Sequence, residues 1–282
     1  MLKRSIKGWL IRLKLYGPIF RAREIVRGAR GPIRPRRGPD GLPFPSSYLM
    51  ILTVGNPHAQ AFFESGISSL TGFAQIVGRN GGHFASFRRV LDFGCGCGRL
   101  ARHLPRFTNA EIYGSDYNPR LVRWCRRNLP GHFSLNRLLP PLPFEQGFFD
   151  CVYAASVFTH LSEDTQFKWL VELRRVLRPG GYLVVSLHDE TYLAEPELKQ
   201  LLAKRGFLVR NNLLEGSNLL GAYHTAEYVK ARFSQYFRLL EFVPGDGSSY
   251  VQALVLLRND PEVRTGLTGS AEGRRESRDL IN

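Results

Sequence analysis

The stretch that decides the fold is VLDFGCGCGRL, residues 90–100. Its first four residues are apolar apart from Asp92, which is typical of a short buried strand. Three glycines then alternate with cysteines, so the backbone can turn tightly and come close to a ligand. The residues from Arg99 to Phe107 are predicted to form the next helix, whose first N–H groups would face an anionic group. The sequence therefore predicts a strand, a ligand-binding glycine turn and a helix.

A glycine turn of this kind also occurs in enzymes that bind nicotinamide or flavin dinucleotides, and two residues argue against that class here. The dinucleotide pattern requires a third glycine where this chain has Arg99. Asp92 would also face the negative charge of a pyrophosphate. S-adenosylmethionine presents a cationic amino group and a sulfonium instead, so a carboxylate beside it is favourable. The alternative is that Asp92 only forms the turn.

A second acid ends the next predicted strand, Glu111 to Asp116, and lies 18 residues beyond Gly98. A carboxylate at this position can accept hydrogen bonds from both hydroxyls of a ribose. The alternative is that Asp116 only caps the following helix, for which Asn118 and Pro119 supply typical first residues. Asp92 and Asp116 together favour an adenosyl ligand.

The rest of the chain from Arg88 alternates strands and helices, which predicts a doubly wound α/β sheet. The later predicted strands are His132–Leu135, Phe149–Ala155 and Tyr182–Leu187, and a hairpin over Phe237–Val243 and Tyr250–Leu257. The predicted later helices are Ser162–Leu177, Glu195–Arg205 and Thr225–Phe233.

Residues 88–190 resemble the class I S-adenosylmethionine-dependent methyltransferases, of the type that acts on small molecules or glycans in bacteria. The resemblance rests on VLDFGCGCGRL, on the acid in GSDYNP, on LPF…FFD, on SVFTHL and on VLRPGGYLVVS. It implies S-adenosylmethionine as the cofactor and a mostly parallel seven-stranded sheet whose last strand is antiparallel.

The resemblance also implies a set of cofactor-binding residues. Asp116 would bind the ribose, and Asn136 or one of its neighbours would contact the adenine, although the family often has an Asp there. Tyr117, beside Asp116, and Ser156, at the start of SVFTHL, complete the predicted site. The methionine half of the cofactor would be held by Asp92, Gly94, Cys95, Gly96 and Gly98.

The chain is predicted to have four parts around this fold. Residues 1–45 form a basic amphipathic arm and linker, with a helix from Leu2 to Leu13 that ends at Gly17-Pro18. Residues 46–87 form an N-terminal helical cap with two helices, residues 88–258 form the methyltransferase domain, and residues 259–282 form a disordered tail.

Three histidines are candidate general bases, because a base is needed only where the methyl acceptor carries a proton that must leave. His160 follows the fourth strand, His188 ends the fifth strand beside Asp189, and His224 precedes a late helix. For each of them a purely structural role is the alternative. His224 and His188 rank slightly above His160.

The net charge of +15 is concentrated in residues 1–37, which hold twelve Lys or Arg and one acid. Such an arm favours an anionic membrane surface or nucleic acid as a partner. No stretch of about 18 apolar residues is present, and the spacing of the four cysteines fits no structural zinc site. We therefore expect that the protein binds no metal. We also expect a cytoplasmic enzyme whose arm makes peripheral contact with the inner membrane face. The first 23 residues contain no acid, so a mitochondrial presequence is an alternative for this segment.

The leading functional prediction is O-methylation of a small molecule or glycan. The motif Asn/Asp-Pro-Pro-aromatic of enzymes that methylate base nitrogens is absent, since residues 154–157 are AASV. The alternatives are an RNA methyltransferase that uses the basic arm, with nucleic acid the less favoured partner, and a cofactor-binding scaffold without catalysis.

Overall fold

The structure is a computed structural model that describes residues 16–29, 31, 35–210, 214–217, 219–246 and 252–263. The predicted amphipathic helix Leu2–Leu13 lies outside the described residues, as does the predicted disordered tail beyond residue 263. No helix of the described part is both long and apolar enough to cross a membrane.

In the described part of the chain, nine strands form a large sheet and a small one. In chain order they are β1 (Arg89–Phe93), β2 (Glu111–Asp116), β3 (His132–Leu135), β4 (Phe149–Ala154), β5 (Leu177–Leu187), β6 (Phe207–Arg210), β7 (Gly221–His224), β8 (Arg238–Val243) and β9 (Ala253–Arg258). The large sheet has the order β3-β2-β1-β4-β5-β9-β8. Its first five strands are parallel, and β9 runs antiparallel to both β5 and β8. The predicted seven-stranded sheet with an antiparallel last strand is confirmed.

Helices cover both faces of this sheet. They are α1 (Tyr16–Ala29), α2 (Ser47–Val54), α3 (Ala59–Arg79), α4 (Pro119–Asn128), α5 (Glu163–Val176), α6 (Pro196–Arg205) and α7 (Ala226–Phe233). Apolar residues of α3 and α4 pack on one face, and those of α5 and α7 pack on the other. All six residues of β4 are buried, as expected for a central parallel strand covered on both sides.

The helix predicted over Arg99 to Phe107 is wrong in type and length. The chain makes turns after Gly98 and then a 3-10 helix, Ala101–Arg106. Pro105 lies inside this segment and has no N–H to donate, so an α-helical hydrogen bond to residue 101 is impossible. The glycine turn is therefore followed by a tighter and shorter element than predicted.

The small sheet of β6 and β7 was not predicted. Its strands pair antiparallel over four residues each, from Phe207 opposite His224 to Arg210 opposite Gly221. An isolated bridge between His188 and Tyr223 places it beside the end of β5. Strands of four residues are too short to show a clear hydrophobic periodicity in the sequence. Their position also depends on the contact with the end of β5, which lies far away along the chain.

The N-terminal part packs more closely on the sheet than the predicted linker and cap suggest. α3 contributes Leu70, Phe73 and Ile76 to the same core as β1 and β2. Gly17 and Pro18 were predicted to end the arm helix, but they lie in the first turn of helix α1, which begins at Tyr16. A proline is well accommodated in a first helical turn.

Two short stretches predicted as linker and tail are also packed. Asp40 pairs with the buried Arg102 through two hydrogen bonds of 2.7 and 2.8 Å. At the other end of the chain, the amide nitrogen of Asn259 donates to the carbonyl of Leu177 at 2.7 Å. Residues 36–44 and 259–263 therefore belong to the folded body.

Candidate functional site

The glycine turn follows β1 at the carboxyl end of the parallel strands, where ligands of doubly wound sheets bind. Gly94, Gly96 and Gly98 all have positive φ, at 76°, 56° and 77°. A Cβ on Gly94 would lie 2.3 Å from Cγ2 of Val157, and one on Gly98 would lie 2.0 Å from Cδ1 of Leu129. Both conformation and packing therefore require glycine at these positions.

Asp116, at the end of β2, is tied to the glycine turn. One carboxylate oxygen accepts from the N–H of Gly96 at 2.9 Å, and the other accepts from the N–H of Asn118 at 2.8 Å. Each oxygen has a further lone pair, so the carboxylate can accept additional bonds from a ligand. The predicted helix-capping alternative holds only in part, since Asn118 is the residue whose side chain caps α4.

Asp92, at the end of β1, is 1% exposed, and the groups that favour its charged form include the Tyr153 hydroxyl on β4 and the Arg99 guanidinium. Neither the Oδ2 of Asp92 nor the Tyr153 hydroxyl makes a well-formed hydrogen bond in the described part of the chain. Burial raises the pKa of Asp92 to about 7, and it raises the pKa of Asp116 to about 6. A buried carboxylate oxygen without a donor is costly in a folded protein. The arrangement therefore suits a cationic ligand group that would pair with this oxygen.

Arg99 lines the same cavity, and the sequence analysis considered it only as a missing glycine. Its Nη1 donates to the carbonyl of Ser65 at 3.0 Å and to Oγ of Ser69 at 3.1 Å, both on α3. Burial lowers the pKa of the guanidinium. Because an arginine remains charged under ordinary conditions, it can receive an anionic group in the cavity beside Asp92.

Asn136 and Tyr117 lie at the ends of β3 and β2, as predicted, and both line the cavity. The Oδ1 of Asn136 is buried without a partner among the described residues, while its Nδ2 donates to the carbonyl of Arg137 at 2.7 Å. The Tyr117 hydroxyl donates to the carbonyl of Gly216 at 2.7 Å. The free amide oxygen can accept a hydrogen bond from a heterocycle that enters here.

Helix α2 covers the glycine turn from the other side, which the sequence analysis missed. Thr53 accepts from the N–H of Cys97 at 3.2 Å, and a Cβ on Gly96 would lie 2.5 Å from its Cγ2. Cys95 contributes its N–H, which donates to the carbonyl of Ser115 at 3.0 Å, while its thiol is buried. The turn is thus held between β2 and α2.

Ser156 follows β4 and is the one non-glycine residue with positive φ, 57°, in the described part of the chain. Its N–H donates to Oγ of Ser186 at 2.8 Å, and its hydroxyl donates to Oε1 of Gln252 at 2.9 Å. The Nε2 of Gln252 lies 3.2 Å from Nε2 of His188. Gln252, just before β9, is a cavity residue that the sequence analysis did not identify.

His160 is the one predicted base that the structure places in the cavity wall. Its Nδ1 lies 2.8 Å from the carbonyl of Leu220, which can only accept a hydrogen bond, so Nδ1 carries the proton. The lone pair is then on Nε2. Burial lowers the pKa of His160, which keeps this nitrogen unprotonated at neutral pH.

His224 and His188 do not line the cavity. His224 has no exposed surface and hydrogen bonds to Oε1 of Gln166 at 2.9 Å, and burial lowers its pKa to about 3. His188 stacks on Tyr192 and lies behind Gln252, with its pKa lowered by burial to about 4. The predicted ranking of these two above His160 therefore disagrees with the geometry.

The cavity has a volume of about 1350 Å³ and two halves. We call the part at Asp92, Gly94, Gly96, Asp116 and Asn136 the strand-end half. We call the part at Ser65, Ser68, Gly72, His160, Gln252 and Leu254 the α3 half. Ligand cavities typically have volumes of roughly 300–1000 Å³, so this one can hold two ligands side by side.

Comparison with known proteins agrees with this geometry. A family described as "Methyltransferase domain" matches residues 91–185. A phthiotriol/phenolphthiotriol dimycocerosates methyltransferase of Mycobacterium ulcerans is 38% identical over 119 residues, which is 40% of this chain and 42% of that protein. An uncharacterised methyltransferase of Synechocystis is 30% identical over 156 residues, which is 47% of this chain and 73% of that protein.

Two further similarities are to a methyltransferase whose name states its acceptor and to a methyltransferase of known structure. A fatty-acid O-methyltransferase of Mycolicibacterium smegmatis is 38% identical over 102 residues, which is 35% of this chain and 36% of that protein. The chain thus spans less than half the length of the Mycobacterium and Mycolicibacterium relatives. The crystal structure of an S-adenosylmethionine-dependent methyltransferase from Mesorhizobium loti superimposes with a TM-score of 0.52 at 16% identity, over 65% of this chain and 96% of that one.

Proposed function

The chain belongs to the class I S-adenosylmethionine-dependent methyltransferases, and from that premise we propose that it methylates an oxygen of a small, largely apolar acceptor. The observation that carries the proposal is the continuity of the cavity from the two buried carboxylates of the strand-end half to His160 in the α3 half. When bound, the cofactor supplies an activated methyl group on a sulfonium. The protein then has to align the acceptor and remove its proton.

The strand-end half fits each chemical part of the cofactor. Asp92 offers its unpartnered oxygen to the positively charged amino group. Asp116 has lone pairs left for the ribose hydroxyls, and Asn136 offers its free Oδ1 to the adenine amino group. Arg99 is the residue that can receive the carboxylate, from its position between Ser65 and Ser69.

The α3 half has the composition expected around a neutral acceptor. Its small and hydroxyl-bearing positions on α3 include Ser65, Ser68 and Gly72, and Leu254 faces them from β9. The names of two relatives point the same way, since one acts on phthiotriol dimycocerosates and one on a fatty-acid oxygen. These similarities support an apolar or lipid acceptor more than the predicted glycan.

His160 is the proposed general base. His160 lines the cavity, and its Nε2 holds the lone pair because Nδ1 is fixed as a donor to Leu220. A hydroxyl of the acceptor can give its proton to Nε2 as the oxygen attacks the methyl carbon. A carboxylate acceptor carries no such proton at neutral pH, so His160 matters only for alcohol or phenol acceptors.

One experiment distinguishes the proposal from its two alternatives, an RNA methyltransferase and a cofactor-binding scaffold without catalysis. The purified full-length protein is incubated with methyl-labelled cofactor and four acceptor classes in parallel: long-chain fatty acids and alcohols, phenols and quinols, glycans, and RNA. We expect label in the apolar classes, in a product whose methyl is removed by reagents that cleave methyl ethers or esters. Label in RNA alone would contradict the proposal, and cofactor binding with no labelled product in any class would favour the scaffold.

A further inference from the structure

Half of the most exposed large apolar side chains among the described residues line the cavity, and the other half adjoin lining residues in the sequence. Among the described residues, the large apolar side chains with high exposure, from 39% to 51%, are Ile25, Val26, Tyr117, Leu135, Leu139 and Leu214. Ile25, Tyr117 and Leu214 line the cavity itself. The other three are sequence neighbours of lining residues, because Val26 follows Ile25 and the two leucines flank residues 136–138. We call this set the rim.

The rim is bordered by arginines. Helix α4 starts at the cavity and has the sequence PRLVRWCRRN, with four arginines and no acid. All four of these arginines are exposed, and so are Arg23 and Arg27 on α1 and Arg137 after β3. The one acid of α1, Glu24, is buried. Of these exposed arginines, Arg120 and Arg137 line the cavity, so its wall carries both apolar side chains and positive charge.

Contacts between helices hold these elements in one surface. Arg120 at the start of α4 donates to the hydroxyl of Tyr48 on α2 at 2.9 Å. Arg27 on α1 donates to the carbonyl of Gly55, which ends α2, at 3.2 Å. Helices α1 and α4 therefore both contact α2, and each contributes residues to the cavity wall, such as Ile25 and Arg120.

We propose that the rim and its arginines form a docking surface for an anionic lipid bilayer, with the cavity mouth facing the membrane. Exposed aliphatic side chains that alternate with arginines match the layered chemistry of a membrane interface, where acyl chains lie beneath anionic headgroups. A single-stranded nucleic acid would instead favour stacking aromatic side chains between the cations, whereas five of the six rim residues are aliphatic. The inference does not depend on which acceptor is methylated.

The test is flotation of the full-length protein with vesicles of phosphatidylcholine, with or without phosphatidylglycerol. One double variant, Leu135→Ser with Leu139→Ser, removes rim side chains, and a second, Arg123→Glu with Arg127→Glu, reverses charge on α4. The matched control, Lys204→Glu with Arg205→Glu, reverses two exposed charges on α6, which contributes no residue to the cavity. Thermal melting and cofactor binding verify that each variant is folded.

We expect the unaltered protein and the α6 control to bind phosphatidylglycerol vesicles, with binding that weakens as salt is raised. Each rim or α4 variant should bind about tenfold or more weakly, since a basic residue near an anionic surface contributes about fivefold and a buried leucine a similar factor. Equal binding of all four proteins would overturn the proposal. Binding to RNA but not to vesicles, lost in the α4 variant, would overturn it as well.

Discussion

The two halves of the cavity are built in opposite ways. The strand-end half takes its residues from three strand ends that follow one another along the chain, at Asp92, Asp116 and Asn136. The α3 half combines a helix near the N-terminus with His160 and with Gln252 beside the last strand. A sequence motif can therefore specify the first half, whereas only the folded topology assembles the second.

Their electrostatics differ as well. Two buried carboxyls, with pKa values raised to about 7 and about 6, face the strand-end half. The α3 half offers hydroxyls, aliphatic groups and a neutral imidazole. The first environment favours a cation and the second a neutral or apolar molecule, which is the pairing that methyl transfer from a sulfonium needs.

The largest expected effect is on catalysis, and it should arise in the α3 half of the cavity without changing the strand-end half. His160→Ala should lower kcat for an alcohol or phenol acceptor by about 10²–10⁴, while cofactor affinity stays unchanged. Added imidazole should restore part of the rate, which a purely structural role would not produce. Steady-state kinetics with the acceptor identified by label transfer would check this, and an unaltered rate would remove His160 from the mechanism.

The next effect is on stability, and two glycine-to-alanine variants compare the glycine turn beside the strand-end half with helix α3. Gly98→Ala places a side chain at φ 77° and 2.0 Å from Leu129, so it should lower the free energy of unfolding by about 2–4 kcal/mol. Gly72→Ala on α3 would meet Leu254 at 3.6 Å, an ordinary contact. It should stabilise the helix by up to about 1 kcal/mol. Denaturant unfolding measures both, and equal losses would contradict the described packing.

A smaller effect concerns the pH dependence of cofactor affinity. Asp92 has a pKa raised to about 7, so its carboxyl is mostly protonated at pH 6 and mostly charged at pH 8. Because the cationic cofactor prefers the charged form, its Kd should be about tenfold weaker at pH 6 than at pH 8. Calorimetry at both pH values should show this in the unaltered protein and a flatter profile in Asp92→Asn. A pH-independent Kd in the unaltered protein would place the cation elsewhere.

Most of the fold could be predicted from the sequence, because its rules are local. Strand β4 is apolar apart from Asp150; Asn118 and Pro119 mark the start of α4, and the glycines after β1 require positive φ. The number of strands and the antiparallel direction of the last one were predicted from the family resemblance. The short helix after the glycine turn was mispredicted because Pro105 outweighs the apolar pattern around it.

The site residues at the strand ends could be predicted from the sequence, whereas those that other elements contribute could not. Asp92, Asp116 and Asn136 end successive strands, so their convergence follows from a parallel sheet. Arg99, Thr53 and Gln252 enter the site through tertiary contacts that no spacing in the sequence reveals. The predicted ranking of the histidines disagrees with the geometry because burial, which no spacing in the sequence reveals, decides between them, and His224 has no exposed surface.

The central claim is that the strand-end half binds S-adenosylmethionine through its carboxylates, and calorimetric titration of the full-length protein tests it most directly. The account predicts binding of S-adenosylmethionine and of its demethylated product, with affinity reduced by about 1–3 kcal/mol in Asp116→Asn. The asparagine variant keeps one acceptor oxygen for the neighbouring N–H groups. A folded protein that takes up a nicotinamide dinucleotide but neither adenosyl compound would contradict the account.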